Sequence, residues 1–165
     1  MKPLLVVYYS RTGYTRRVAQ SLAHAGAADI EELLPLRGYA GQWGYVRAAL
    51  DALLRRKPAL APLRYRPEEY ETVLVGVPVW TGRPAAPVRT FVAEYGSRCR
   101  RLAAFCTMGG RGGEAVLDTL ADLAGKPLLA RLVLNDREID AGAGLANAPA
   151  SQGLLQGLAI AARQP

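Results

Sequence analysis

Short apolar runs alternate with stretches of helical periodicity along the chain. Residues 4–9 are continuously apolar, the pattern of a strand buried on both faces. Val18, Ala19, Leu22 and Ala23 then share one helical face. Residues 29–34 predict a weaker second strand, and Glu31 and Glu32 within it suit an edge position. Val46, Leu50, Leu53 and Leu54 mark a second helix, which Pro58 stops. The second half repeats the alternation more clearly. Residues 73–77 predict a third strand, Val88, Phe91, Val92 and Tyr95 a helix, and residues 102–106 a fourth strand. Val116, Leu120, Leu123 and Ala124 then make a helix and residues 128–134 a fifth strand. Leu154, Leu155, Leu158, Ala159 and Ala162 give the last helix. Five β–α units without an internal linker predict an α/β domain over residues 1–165, a parallel sheet with helices on both faces.

Composition changes this picture little. The chain has 165 residues, half of them hydrophobic and 21% charged, ordinary proportions for one globular domain. Cys99 and Cys106 suit a reducing compartment better than a disulfide framework. The first apolar run is too short for a signal peptide, and polar residues interrupt the uncharged stretch 141–162, so a cytoplasmic protein without a membrane span is expected. The net charge of +7 raises the question of an anionic partner. The basic residues are scattered and lack interleaved stacking aromatics, which points to a solvated basic surface and away from nucleic acid.

Ligands of an open parallel sheet bind beyond the carboxyl ends of the strands, where the strand order reverses. After the first strand comes Ser10-Arg11-Thr12-Gly13-Tyr14-Thr15, leading directly into a helix. Three hydroxyls, a glycine and a helix N-terminus suit one phosphate, because backbone N–H groups and the helix dipole both favour the anion. An ordinary N-cap also takes Ser or Thr, but asks for fewer of them. The segment is neither a P-loop nor a G-x-G-x-x-G turn, so a mononucleotide phosphate without a metal is expected.

These residues resemble the [ST]-x-T-G-x-T phosphate loop of flavodoxins and flavodoxin-like FMN proteins. The likeness continues at residues 76–83, which include Pro78, Val79, Trp80, Thr81, Gly82 and Arg83, and at 106–112, which include Thr107, Met108, Gly109, Gly110, Arg111 and Gly112. These are the two loops with which the family holds the flavin ring. The resemblance implies a doubly wound five-stranded parallel sheet of order 2-1-3-4-5, in the family's short-chain form, and non-covalent FMN. By the same resemblance Ser10, Thr12 and Thr15, with backbone amides of 11–15, would hold the phosphate. Trp80 would pack on the isoalloxazine, and the backbones around Thr81–Gly82 and 107–110 would meet its polar edge. Receiver domains share the topology but need an Asp at the end of the third strand, where this chain has Val77-Pro78-Val79. Two features depart from the family pattern: Tyr14 stands where Asn is frequent, and Arg11, Arg83 and Arg111 occupy loops that electron carriers surround with acids.

The implied function is an oxidoreductase in which NAD(P)H reduces the flavin and a quinone or similar acceptor is reduced in turn. The alternative is an electron carrier that docks on redox protein partners without its own turnover, and a third reading is a scaffold that has lost the flavin. No nicotinamide-binding motif separates them. His24 has no partner at ligand spacing, so no metal is expected. Loop 37–45, with Tyr39, Trp43 and Tyr45, is compatible with a homodimer surface or an active-site lid.

Overall fold

The computed structural model describes residues 1–39, 41–142 and 148–162. Ala40, residues 143–147 of the uncharged stretch and the Tyr45 side chain lie outside what it describes, and residues 41–45 of the expected 37–45 loop are instead the start of a helix. Five parallel strands form the sheet: β1 (Lys2–Tyr8), β2 (Asp29–Glu32), β3 (Tyr70–Trp80), β5 (Arg101–Met108) and β6 (Arg131–Asn135). A two-residue strand, β4 (Arg83–Pro84), pairs antiparallel with the end of β3. The order β2-β1-β3-β5-β6 is the expected doubly wound one, with β4 as an added hairpin.

Alternation along the strands builds two cores. Leu4, Val6 and Tyr8 of β1 join Leu74, Phe105 and Leu132 on one face, under helices α1 (Tyr14–Ala25) and α6 (Pro149–Ala162). Leu5, Val7 and Tyr9 join Val73, Val75, Leu102 and Cys106 on the other, under α3 (Ala86–Tyr95) and α4 (Gly113–Ala124). Gly76 is required on the first face, since a Cβ there would lie 2.4 Å from Cζ of Phe105.

The edge strand β2 carries its acids at little cost. Glu31 is buried, but its Oε2 accepts hydrogen bonds from the backbone N–H groups of Arg64 and Tyr65 at 2.9 and 3.1 Å. Two elements depart from expectation. Helix α2 (Gly41–Leu53) forms, yet Val46, Leu50, Leu53 and the following Leu54 are exposed, and Trp43 is 86% exposed. Its inward side is Gly44, Ala48 and Asp51, because the backbone at Gly44 lies too close to Tyr39 for any side chain. A short α5 (Asp136–Asp140) follows β6, set by a capping box: Asn135 Oδ1 accepts from Glu138 N and Glu138 Oε2 from Asn135 N.

Candidate functional site

The carboxyl ends of β1, β3, β5 and β6 open on one cavity. Its wall comprises Arg11, Thr12, Tyr14, Pro78, Val79, Trp80, Thr81, Thr107, Met108 and Gly109, all expected from the sequence, together with Ala48, Ala49 and Asp136.

The turn after β1 is held from beneath. Ser10 Oγ accepts from the N–H of Gly13 at 3.1 Å, and Gly13 takes φ +100°, where a Cβ-bearing residue is strained. That amide is therefore occupied, whereas the first amides of α1 have no acceptor within the helix. No acid sits in the first turn of α1, so no side chain of that turn offsets its positive end. Thr15 is buried and its hydroxyl lies 2.8 Å from that of Thr107, tying the turn to β5. Thr12 alone of the three expected hydroxyl residues reaches the wall. Tyr14 donates to Asp140 at 3.1 Å, and Arg17 pairs with the same carboxylate at 3.0 Å, so α1 and α5 are clamped beside the turn.

The opposite wall is aromatic. Trp80 ends β3 in an extended strand, and Thr81 and Gly82, both at positive φ, turn the chain into β4 as a two-residue hairpin demands. The indole is half-buried, edge-on to Tyr9 and Tyr39 with ring centroids 5.4 Å away in each case. It is thus both a wall of the cavity and part of the core. Burial pushes the Tyr9 hydroxyl up to about 12. Tyr39 is raised by burial and by its 2.8 Å hydrogen bond to Asp51, which also pairs with Arg56.

Gly82 and Gly112 meet, a Cβ on the latter lying 3.4 Å from Cα of the former, so the turn after β3 and the loop after β5 abut. Gly110 and Arg111 are exposed beyond the wall, and Arg83 lines a neighbouring cavity. Cys106 is buried, with its thiol raised to about 12 by burial, and offers no nucleophile.

Sequence reasoning missed Asp136, Ala48 and Ala49. Asp136 follows the last strand at the same sheet edge, and the Asn135–Glu138 capping pattern announces a helix start there. Its carboxyl is raised by burial first and then by Asp140. The two alanines carry no chemistry and had no such signal. The arrangement can hold an anionic group at the start of α1 and a flat apolar group against Trp80.

A family model for flavodoxin matches residues 3–131. No curated protein matches the sequence. Among solved structures, the chain is similar to a flavoprotein of Lactobacillus acidophilus NCFM in complex with FMN, at 26% identity over 86% of this chain and 98% of that one, with a TM-score of 0.66. It shares the fold of a protein assigned as a flavoprotein from Bacteroides eggerthii DSM 20697, at 20% identity, 99% and 100% coverage and a TM-score of 0.75. The same holds for the two-electron reduced flavodoxin of Megasphaera elsdenii, at 16% identity, 96% and 97% coverage and a TM-score of 0.54. With a matched span of 129 residues that runs from β1 to the start of β6, the chain belongs to the flavodoxin family.

Proposed function

We propose that the chain binds FMN non-covalently in this cavity and acts as an oxidoreductase, taking electrons from NAD(P)H and passing them to a quinone or similar acceptor. One observation carries the cofactor assignment: a single cavity joins a helix N-terminus without an acid in its first turn to an indole wall. The residues present fit the group. Thr12 and the first amides of α1 suit a phosphate, and Arg11 on the same wall adds positive charge. Trp80 and Met108 offer apolar surface, and Gly109 lets main chain approach, with only Asp136 Oδ2 within 4 Å of its missing Cβ. The FMN held by the similar L. acidophilus protein supports the same reading. Bound there, FMN supplies the capacity to accept and return electrons. The chain's own residues bind the phosphate, orient the ring and exclude water on the Tyr9–Tyr39–Trp80 side.

The basic balance favours the reductase. A net charge of +7 and Arg11 at the wall favour the gain of negative charge that accompanies reduction, the opposite of an acid-ringed carrier. Purified protein should be yellow with bound FMN and should oxidise NADH or NADPH when a quinone is present. Bound FMN without such oxidation would support the second reading, a carrier. The exposed row Trp43, Val46, Leu50 and Leu53 on α2, next to the wall residues Ala48 and Ala49, favours that docking role. A colourless protein that does not take up added FMN would overturn both.

A further inference from the structure

Beside the hairpin, a second cavity gathers three guanidinium groups. Its lining includes Arg55 after α2, Arg83 of β4 and Arg89 of α3. Arg89 is only 6% exposed. Its Nη2 donates to the carbonyl of Arg55 at 2.9 Å, while its Nη1 is buried without a hydrogen-bond partner among the described residues. Arg55 stands at φ +52°, a left-handed conformation that a residue with a Cβ adopts at a cost. Arg89 shares the cavity wall with Arg55 and Arg83, both of its own sign, and burial and these two cations lower its pKa. Asp122 is the wall's one carboxylate, and among the described residues it forms no ion pair with any of the three. Thr119, also on the wall, donates its hydroxyl to the Ala115 carbonyl.

A buried cation without a counter-charge is costly, and two further cations beside it add to the cost. An anion in the cavity removes both costs at once, and the planar fork of arginine matches phosphate oxygens two at a time. We infer that Arg55, Arg83 and Arg89 form a second anion site, separate from the turn after β1, which takes the phosphate group of a small molecule. Its position adds a further constraint. Arg83 is the cross-strand partner of Trp80, so one two-residue hairpin has an arginine of this site on one strand and the indole wall on the other. A phosphorylated ligand anchored on the arginines therefore lies one hairpin away from the proposed ring position. The phosphates of a pyridine dinucleotide are one source of such a group and free phosphate is another. Only the dinucleotide source rests on the reductase reading.

The test is calorimetric titration of the protein, saturated with FMN to occupy the first site, with inorganic phosphate and separately with NADP+. The oxidised dinucleotide avoids turnover. Binding of either ligand, weakened about fivefold by Arg55→Gln and again by Arg83→Gln, is the expected result. Both substitutions leave the buried Arg89 in place, so a folding defect at that position does not obscure the outcome. Phosphate binding without NADP+ binding supports the site and assigns it to a different phosphorylated compound. NADP+ binding that responds to the substitutions assigns it to the dinucleotide. Binding of neither, or binding indifferent to both substitutions, overturns the inference. Failure of NAD(P)H to reduce the protein, with phosphate still bound, counts against the reductase alone.

Discussion

The two turns that face each other across the cavity are built in opposite ways. The Ser10–Gly13 turn is knitted to the interior: its own side chain caps it, and buried Thr15 is tied to Thr107 on a strand two positions away. The Thr81–Gly82 turn projects from the sheet, its residues exposed, and depends on the hairpin pairing of Trp80 with Arg83. The first turn is therefore held rigidly, whereas the second positions its indole only as well as the aromatic trio behind it allows. Specificity for a phosphate should reside in the first, and affinity for a flat ring should be shared more diffusely around the second.

The largest expected effect is on the interior tie. Thr15→Val leaves the Thr107 hydroxyl buried without its partner, which should cost about 1–3 kcal/mol of stability in a urea titration of the apoprotein. No change would show that the 2.8 Å contact carries no stability and does not hold the turn rigidly. Next in size, Thr12→Ala should weaken FMN by about tenfold, from the loss of one charge-assisted bond, and leave riboflavin nearly unaffected because riboflavin lacks the phosphate. Equal losses for both ligands would erase the contrast between the turns. Trp80→Ala should cost both ligands alike, by about 0.5–1.5 kcal/mol beyond the area lost. An FMN-only effect would place the phosphate on the wrong side of the cavity.

Asp136 gives the smallest effect, and one with a pH signature. Its pKa is raised in the folded protein, so the native state holds its proton more tightly than the unfolded chain does. The charged form is therefore a penalty at neutral pH that disappears in acid, below the unfolded value. Asp136→Asn should raise the melting temperature slightly at pH 7 and leave it unchanged near pH 3. A gain of equal size at both pH values would trace the effect to something other than the charge.

Legibility in the sequence followed the same division. The strands under the site were plain because residues 4–9, 73–77 and 102–106 are apolar without interruption, a pattern that burial on both faces demands. The start of α1 directly after β1 was plain because Ser, Thr and Gly in sequence suit a helix start, and Thr12 does reach the cavity wall. The aromatic wall was only partly visible: Trp80 stood out, but Tyr9 and Tyr39 meet it from distant segments, and no local spacing reports such a meeting. Helix α2 shows the limit of periodicity, which fixes an apolar face without saying which way it turns. Val46, Leu50 and Leu53 share a face that points outward, because Gly44 must take the close approach to Tyr39.

That outward turn has a consequence for how the molecule breathes. Helix α2 meets the rest of the protein through Gly44, Ala48 and the Tyr39–Asp51 hydrogen bond, whereas α3 and α4 bury Phe91, Val92, Leu117 and Leu120 completely. Among the described side chains α2 buries less apolar surface than α3 and α4, so its amides should exchange with deuterium before theirs. Ala48 and Ala49 form part of the cavity wall, so deuterium exchange in α2 should slow when FMN is added.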